Sequence, residues 1–396
     1  SICPVIHGWD SIKMAIALLL FGGTHYSLQS NTALRGNIHI LLVGDFSTGK
    51  SQLLRWVAQL LPRGVYSSGS GSSRAGLTAA VVRDHGGQWT VEVGVLIRAD
   101  GGVACLDEIE KMSDEDRRAL HTAMEQGILP IHKADVHVEF NARTSVLAAA
   151  NPALGRYDPS LPFRENVGMF DGALLSRFDL IFVMRDVPEP DRDRRLSEFS
   201  LCTASSTPPP EAHSPIPLDL LRKYILFARR MVRPQLSQEA RDTIKDYYVQ
   251  LRKASADNST SIQINLRQNE ALRRLTEAHA RMALREVATR EDALAAIELM
   301  ETSLRTVAFD PDHHRIDIDA LVATHSAGAR NDSQSLLQLL RDMYESLGRG
   351  VTMDELLEQA GAIGLSERRL QKAIRVLEER GAVFTDRQNR IRPTED

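Results

Sequence analysis

A phosphate-binding loop is the pattern in this chain with the most specific chemistry. Residues 44–51 read GDFSTGKS and fit G-x-x-x-x-G-K-[ST]. The loop follows an apolar run at 38–43 and opens a helical pattern, which is the strand–loop–helix setting that phosphate binding requires. In such a loop Lys50 reaches the β- and γ-phosphates, and the Ser51 hydroxyl binds Mg²⁺. The pattern therefore predicts nucleotide binding by Gly44, Asp45, Phe46, Ser47, Thr48, Gly49, Lys50 and Ser51.

Two adjacent carboxylates, Asp107 and Glu108, follow the apolar run at 103–106. At the carboxyl end of a strand in an α/β sheet, such residues face the crevice where ligands bind. Asp107 suits the Mg²⁺ shell, and Glu108 suits a general base that orients the attacking water. On their own, the two carboxylates could equally cap a following helix. Together with the phosphate loop, they favour nucleotide hydrolysis.

Two further polar residues lie next to apolar runs. Asn151 ends the run at 145–150 and could position water against the γ-phosphate, although Asn-Pro is also a common turn dipeptide. Arg177 precedes the run at 180–184 and could stabilise charge on a phosphate in the transition state. It could equally make a surface ion pair, so each residue is a weak signal alone.

The elements that would position these residues alternate between strand and helix patterns. Four apolar runs read as buried parallel strands, which predicts an α/β core at residues 1–202: they lie at 38–43, 102–106, 145–150 and 180–184. A Pro/Ser-rich linker is expected at 203–217 because that composition does not hold a helix. Helical spacing then predicts a purely helical domain at 218–309.

A last compact unit is expected at 333–396, after a second linker at 310–332. Its pattern of three helices followed by a hairpin is that of a winged helix. Residues 366–392 hold eight basic and four acidic side chains, so this segment is positive within an acidic chain. DNA binding is one reading of the unit; a protein-docking or purely structural role is the other.

Composition limits the class of protein. With 396 residues, 43% hydrophobic and 25% charged, the chain is typical of soluble globular proteins. Its formal net charge of -4 argues against a generally basic nucleic-acid coat protein. The three widely spaced cysteines argue against a disulfide framework and a zinc site. The longest apolar run, at 14–21, is far shorter than the roughly 20 residues of a membrane span, so a cytosolic or nuclear protein is expected.

Taken together, the motifs resemble those of the minichromosome maintenance (MCM) replicative helicases. The similarity covers residues 1 to about 282 and the terminal unit, and includes GDFSTGKS, GLTAAVVRD, ADGGVACLDEIEKM, AAANPALGRYD and LLSRFDLIF. It implies an α/β fold, with an AAA+ P-loop NTPase αβα core, a helical lid and a C-terminal winged-helix domain. It also implies an ATP- and Mg²⁺-dependent DNA helicase that forms hexameric rings, in which each active centre is shared between subunits.

Roles for single residues follow from the same resemblance. Within one subunit it implies Walker A contacts at Lys50 and Ser51, a Walker B pair at Asp107 and Glu108, and sensor 1 at Asn151. It also implies residues that each subunit supplies to its neighbour. These are an arginine finger at Arg177, a sensor 2 arginine at Arg267, and further trans-acting positions at Arg35 and Gln126.

Two hairpins resemble DNA-facing elements of the family. One spans 81–93 with a turn at 85–87, and the other spans 130–140 and carries Lys133 at the position of a pore lysine. A lysine at a hairpin tip offers a phosphate contact that subunit motion can carry along a strand. Three residues depart from the family pattern: Phe46 replaces a Pro, Asp135 stands where Gly is favoured, and Asn269 replaces an expected Leu.

The resemblance also implies partners, namely single- and double-stranded DNA, further copies or related MCM subunits, and other replication proteins. The family's amino-terminal DNA-binding portion is not in this sequence, so the sequence is expected to be either a piece of a longer protein or a shortened family member. That leaves two alternatives open: a shortened member that binds nucleotide, DNA and partners without unwinding, and an origin-recognition type of ATP-switched DNA-binding protein. The two hairpins disfavour the second alternative.

Overall fold

A computed structural model describes most of the chain. The described residues are 2–27, 33–69, 76–83, 89–133, 136–159, 161, 163–168, 170, 172–203, 214–256, 266–310, 315–316, 336–341, 343–344, 349–360, 370, 373–374, 377, 382–385 and 390–393. They form two units. The first comprises Ser1–Asp158, Asn166–Arg252 and Ile264–Val307, and the second comprises Pro159–Glu165, Lys253–Gln263 and Ala308–Asp396.

The helices and strands are numbered along the chain. The strands are β1 (Tyr26–Ser27), β2 (Ala33–Leu34), β3 (His39–Gly44), β4 (Gly64–Ser68), β5 (Ala79–Arg83), β6 (Trp89–Val93), β7 (Val103–Asp107), β8 (Ile128–Lys133), β9 (Val136–Asn141), β10 (Ser145–Ala150), β11 (Leu180–Met184), β12 (Gln235–Leu236), β13 (Val287–Ala288), β14 (Phe309–Asp310), β15 (Arg315–Ile316), β16 (Val351–Thr352), β17 (Val383–Thr385) and β18 (Arg390–Pro393). The helices are α1 (Asp10–Phe21), α2 (Lys50–Leu60), α3 (Val95–Arg98), α4 (Asp114–Gln126), α5 (Phe163–Val167), α6 (Gly172–Leu175), α7 (Pro190–Thr203), α8 (Leu218–Met231), α9 (Gln238–Ala256), α10 (Leu266–Met282), α11 (Arg290–Ala308) and α12 (Met353–Ala360).

The first unit is built on a five-stranded parallel sheet with the order β11-β3-β10-β7-β4. Every residue of β3, β7, β10 and β11 is buried, as expected for strands covered on both faces. The four strands predicted from apolar runs are confirmed. The edge strand β4 was not predicted, because its sequence GVYSS is short and largely polar and all five of its residues are half-buried.

Helices cover the sheet and connect it to the helical region. Helix α2 contacts β4, β7 and β10, and α1 contacts β3, β10, α8 and α10. The carboxyl end of α1 meets α10 closely, since a Cβ added to Gly23 would lie 2.9 Å from the Cα of Arg274. Arg281 of α10 donates hydrogen bonds to the carbonyls of Phe21, Gly22 and Gly23 at 2.5–3.0 Å. These bonds satisfy carbonyl groups that a helix end leaves without intrahelical partners.

A buried ion cluster joins the start of β11 to α10. Asp179 accepts hydrogen bonds from Arg274 Nη2 at 2.5 Å, from Arg35 Nη2 at 3.3 Å and from the backbone N–H of His39 at 2.8 Å. Burial opposes ionisation of this carboxyl, but Arg274 and Arg35 outweigh it and hold the pKa of Asp179 below its usual value of 3.8. The cluster therefore fixes the amino ends of β3 and β11 against a helix distant in sequence.

Both predicted hairpins are present in the first unit. Strands β5 and β6 pair antiparallel, and so do β8 and β9, whose last described pair is Lys133 with Val136. The turns that connect them, at 84–88 and at 134–135, lie outside the described residues and include Asp135. The side chain of Lys133 also lies outside the described part of the chain.

The region predicted to be helical contains α8, α9, α10 and α11, together with a two-residue parallel pair between β12 and β13. In the segment expected as the first linker, Thr203 still belongs to α7, and residues 204–213 lie outside the described residues. In the second expected linker, Asp310 belongs to β14, which pairs with β15. No described helix is both long enough and apolar enough to cross a lipid bilayer.

The second unit has a small sheet and an apolar core. Strands β16, β18 and β17 form an antiparallel sheet in that order, and residues 336–341 and α12 are helical. The buried core contains Leu336, Leu340, Val351, Leu356, Leu370, Ala373, Ile374, Leu377, Val383 and Ile391. The hairpin expected after the three helical patterns is present as the antiparallel pair of β17 and β18. Residues 361–369 lie outside the described part, so the winged helix itself stays a prediction.

Candidate nucleotide-hydrolysis site

The candidate site lies where three neighbouring strands of the sheet end. Strand β10 pairs in parallel with both β3 and β7, so their carboxyl ends meet at one edge. The phosphate loop follows β3, Asn151 follows β10, and Asp107 ends β7 with Glu108 directly after it. The topology therefore brings together the loop, the amide and the carboxylate pair that the sequence singled out.

Lys50 is held inside the phosphate loop. Its Nζ donates to the carbonyls of Gly44 and Asp45, both at 2.6 Å, and to Thr48 Oγ1 at 3.3 Å. Lys50 is 6% exposed, and burial lowers its pKa against the opposing influence of nearby carboxylates. Ser47 and Gly49 adopt left-handed backbone conformations, with φ of 65° and 88°, and these turn the loop into the first residues of α2. The loop therefore surrounds the Lys50 ammonium group closely, with three of its oxygen atoms as hydrogen-bond acceptors.

The other loop residues divide between bracing and exposure. The Asp45 carboxylate accepts hydrogen bonds from the backbone N–H groups of Tyr157 at 2.7 Å and Asp186 at 2.9 Å, so its side chain braces the loop. Ser51 is exposed in the first turn of α2. The Phe46 ring is 61% exposed and packs near Gly155. At the position where the family pattern has Pro, this chain therefore exposes a large apolar side chain, Phe46.

Hydroxyl groups of β4 hold the two carboxylates. Asp107 Oδ2 accepts from the Tyr66 hydroxyl at 2.8 Å, and Asp107 Oδ1 accepts from the Glu108 N–H at 3.0 Å. Glu108 accepts from Lys111 Nζ at 2.7 Å and from Ser68 Oγ at 3.0 Å. Chiefly through the bond from Lys111, the pKa of Glu108 lies below its usual 4.5. Glu108 precedes a short 3₁₀ helix, Ile109–Lys111, and its side chain makes no capping hydrogen bond there. The capping alternative is therefore not observed for Glu108.

Asn151 is oriented by a residue that the sequence did not indicate. Its backbone N–H donates to Glu110 Oε2 at 3.2 Å, and its Nδ2 donates to Glu110 Oε1 at 2.9 Å. Glu110 stands two residues after Glu108 on the 3₁₀ turn, so the segment after β7 positions the residue after β10. With its N–H₂ group engaged, Asn151 keeps its amide oxygen as the atom that can accept a hydrogen bond from water.

The arginines predicted to act between subunits gather at a different edge of the sheet. Arg177 Nη2 lies 2.6 Å from Glu125 Oε1, and its Nε donates to His121 Nε2 at 3.3 Å. Arg267 donates to Ser176 Oγ, and its pKa is lowered first by burial and then by the charge of Arg177. The two guanidinium groups therefore lie near each other beside α4.

Arg35 and Gln126 lie in the same region. Arg35 Nη2 donates to the main-chain carbonyl of Arg177 at 3.3 Å as well as to Asp179. Burial lowers the pKa of Arg35 to about 10. Gln126 is exposed and ends α4, next to Glu125. Of these two, Arg35 is built into the ion cluster around Asp179, whereas the Gln126 side chain is exposed.

The distance between the phosphate loop and Arg177 follows from the direction of the strands in the sheet. The Asp179 N–H donates to the carbonyl of His39 at 2.9 Å, so Arg177 lies near the amino ends of β3 and β11. The phosphate loop follows the carboxyl end of the six-residue strand β3. At roughly 3.3 Å per residue the strand spans about 20 Å. An arginine side chain is too short to bridge that distance to the phosphate loop of its own chain.

A cavity of about 530 Å³ lies beside the phosphate loop and had no role in the sequence-based prediction. Ile6, His7, Lys13, Phe199 and Met282 are among the residues that line it. The rings of His7 and Phe199 have centroids 5.3 Å apart. Ile6 connects the cavity to the loop, since a Cβ added to Gly49 would lie 3.1 Å from Ile6 Cδ1. The lining combines apolar side chains with the charged side chains of Asp10 and Lys13, so the cavity offers both an apolar surface for a planar ring and polar groups at its edge.

The oxygen donors at the site suit Mg²⁺ better than a metal ion that is bound by protein ligands alone. Ser51 and Asp107 supply a hydroxyl and a carboxylate, and Mg²⁺ usually binds one or two carboxylates together with substrate phosphates and waters. Within the part of the chain that the structure describes, no three His, Cys, Asp or Glu side chains cluster to hold a metal ion.

Comparison with known proteins matches two family models to consecutive parts of the chain. The MCM P-loop domain matches residues 1–203, and the MCM AAA-lid domain matches residues 219–304. The first match alone covers about half of the chain. It includes the phosphate loop, the strand-end carboxylates, Asn151 and Arg177.

Curated relatives agree with this assignment. The minichromosome maintenance protein MCM of Saccharolobus solfataricus is 41% identical over 386 residues, which is 97% of this chain and 55% of that protein. DNA replication licensing factor MCM4 of Oryza sativa subsp. japonica is 40% identical over 91% of this chain and 42% of its own length. DNA replication licensing factor Mcm2 of Drosophila melanogaster is 42% identical over 76% of this chain and 35% of its own length. The chain thus spans about half the length of these relatives or less, and it belongs to the minichromosome maintenance (MCM) family of AAA+ proteins.

Proposed function

We propose that this chain is the motor of an ATP-dependent DNA helicase of the MCM type and that it hydrolyses ATP at interfaces between subunits. The observation that supports the proposal most strongly is the division of the site residues. Lys50, Asp107, Glu108 and Asn151 converge at the carboxyl edge of the sheet, while Arg177 lies near the amino edge, about 20 Å away along β3.

The carboxyl-edge group would bind and activate the substrate. Lys50 and the loop N–H groups would bind the phosphates, and Ser51 and Asp107 would hold Mg²⁺, which supplies neutralisation of phosphate charge. Glu108 is ionised at neutral pH because its pKa is lowered, so it can accept a proton from the attacking water. Asn151, held by Glu110, would orient that water. The cavity beside Ile6 and Phe199 would take the adenine ring.

The second group would serve the ATP of an adjacent copy. Arg177 and Arg267 lie close together beside α4, so both could reach one phosphate group supplied by another subunit. Arg35 would act indirectly by holding the main chain at Arg177, and exposed Gln126 would meet the neighbour directly. A hexameric ring, or co-assembly with related MCM subunits, gives every active centre both groups.

DNA contacts are proposed for the hairpins and for the second unit. Lys133, at the end of β8, would contact DNA phosphates from the β8–β9 hairpin. The terminal unit is proposed as a winged helix, with the segments 1–202 and 218–309 as ATPase core and lid. The partners would be DNA, further MCM subunits and other replication proteins, in the cell compartment that holds the chromosomal DNA.

DNA-stimulated ATPase and strand-displacement assays on one preparation test this function. We expect ATP hydrolysis that rises with DNA, and strand displacement that disappears in Lys50→Ala. ATP hydrolysis without strand displacement would favour a family member that does not unwind DNA. Failure of the wild-type protein to bind ATP would overturn the proposal.

A further inference from the structure

The edge strand β4 places a phenol against the candidate Mg²⁺ carboxylate. Strand β4 pairs with β7, and Tyr66 stands opposite Cys105, two residues before Asp107. The Tyr66 hydroxyl donates to Asp107 Oδ2 at 2.8 Å. Since the Glu108 N–H donates to Oδ1, each carboxylate oxygen of Asp107 receives a hydrogen bond from the protein. Asp107 is 5% exposed, so these bonds largely determine the rotation of its carboxylate.

Tyr66 is itself fixed from the helix that follows the phosphate loop. The guanidinium carbon of Arg55 lies 5.2 Å from the centroid of the Tyr66 ring, a cation–π distance. Arg55 belongs to α2, the helix that begins with Lys50 and Ser51. The contacts therefore run from α2 through Arg55 and Tyr66 to Asp107.

We propose that Tyr66 is a positioning residue for Mg²⁺ binding: it orients Asp107, while Arg55 holds the Tyr66 ring. The inference rests on the proposed function, because it assumes that Asp107 binds Mg²⁺ with ATP. A carboxylate oxygen accepts more than one hydrogen bond or metal contact, so the bond from Tyr66 leaves Asp107 Oδ2 able to bind a metal ion or its water. Partners that orient metal ligands commonly change metal affinity by about 10- to 100-fold when they are removed.

A purely structural role makes a different prediction. If the Tyr66 hydroxyl only satisfies a buried carboxylate, removing it would lower the stability of the protein and leave the Mg²⁺ dependence of nucleotide binding unchanged. If Tyr66 orients Asp107, the Mg²⁺ dependence changes while metal-free nucleotide binding does not. The two roles therefore differ in a binding measurement that needs no turnover.

The test is equilibrium binding of a fluorescent, non-hydrolysable ATP analogue by the full chain, in EDTA and across a Mg²⁺ titration. We expect Tyr66→Phe to bind the analogue as wild type does in EDTA, but to need about tenfold more Mg²⁺ for half of the metal-dependent increase in affinity. The matched control is Tyr26→Phe, which also loses a hydroxyl that donates to a carboxylate, Glu277 Oε1 at 3.2 Å, and whose ring also lies beside an arginine, Arg273. We expect wild-type Mg²⁺ dependence for that control.

The outcomes separate this inference from the proposed function. Wild-type protein that binds no analogue contradicts the proposed function itself. Wild-type protein with clear Mg²⁺ dependence, and Tyr66→Phe with the same dependence, overturns the role of Tyr66 alone. If Tyr66→Phe does not fold, Arg55→Gln provides the test. The Arg55 side chain is at the surface, so this variant is expected to fold. We expect that variant to need several-fold more Mg²⁺, and an unchanged Mg²⁺ dependence in it would overturn the proposal.

Discussion

Glu125 lies on the last turn of α4, and its carboxylate is 2.6 Å from the guanidinium of Arg177. The Arg177 side chain is 14% exposed and the Glu125 side chain is 41% exposed, so the pair lies at the surface but not fully in solvent. The bond from Arg177 lowers the pKa of Glu125, which is therefore ionised at neutral pH. Arg177 must exchange this carboxylate for phosphate if it serves the ATP of a neighbouring chain.

Glu125→Gln should therefore favour productive contact between chains. A half-exposed ion pair is worth about 0.2–1 kcal/mol, so the protein concentration that gives half-maximal ATPase should fall by at most about fivefold. The measurement is ATPase rate against protein concentration, with exposed Glu198→Gln on α7 as the control. An unchanged or higher concentration for half-maximal activity would mean that Glu125 does not compete with phosphate for Arg177.

Glu108→Gln should separate nucleotide binding from turnover. The amide keeps the size of the side chain but cannot take a proton from water, so we expect kcat to fall by at least about 10²-fold with little change in ATP affinity. Lys50→Ala is the comparison variant and should lose ATP binding itself. Steady-state ATPase retained in Glu108→Gln would remove Glu108 as the general base.

The same carboxylate gives an expectation for pH. Because the folded-state pKa of Glu108 lies below 4.5, its ionised form is fully present above that value and is lost only as pH falls through the lower, folded-state value. Wild-type kcat should therefore show no decline caused by this group between pH 8 and about 5.5. A loss of kcat with an apparent pKa near 7 would point to another base.

Asp179→Asn should destabilise the first unit strongly. It leaves two arginines, Arg274 and Arg35, beside an uncharged amide in a buried site, and breaking a buried pair in this way costs about 3–5 kcal/mol. Urea unfolding followed by fluorescence suits the test because Trp9, Trp56 and Trp89 all belong to this unit. The matched control is Asp242→Asn, which breaks an exposed pair with Lys245 and should leave the unfolding free energy close to the wild-type value.

The cost of Asp179→Asn should not depend on pH near neutrality. A carboxyl with a lowered folded-state pKa stabilises the fold above its unfolded value, here 3.8, and loses that contribution as pH falls through the folded-state value. The difference in unfolding free energy should thus be the same at pH 8 and at about pH 5.5. A cost below about 1 kcal/mol at both pH values would show that the cluster contributes little to stability.

The parts of the site that a sequence can predict are those whose position follows from chain topology. Residues 38–43 and 145–150 are continuous apolar runs because both faces of their strands are buried, and the polar residues that follow them must then meet at one edge. The phosphate loop adds a local pattern with its own backbone requirements. These features predicted the convergence of Lys50, Asp107, Glu108 and Asn151 without any tertiary information.

The residues that hold this group are different, because each acts through a tertiary contact. Tyr66 and Ser68 lie on an edge strand whose half-buried, polar sequence carries no strand signal. In the sequence, Glu110 and Glu125 resemble ordinary solvent-exposed acids. Only the structure shows that Glu110 contacts Asn151 and that Glu125 contacts Arg177. Nor does any local pattern show that Arg177 lies at the opposite edge of the sheet from Lys50; that separation comes from the order and direction of the strands.

Mixing two inactive variants tests whether the ATP site is shared between chains. Lys50→Ala lacks the phosphate contact and Arg177→Ala lacks the arginine supplied to the neighbour, so each should be inactive alone. In a random equal mixture, about a quarter of head-to-tail interfaces pair an intact phosphate loop with an intact Arg177. We expect ATPase activity to recover to about that fraction of wild type. No recovery at protein concentrations where wild type is active would show that Arg177 does not complete the site of another chain.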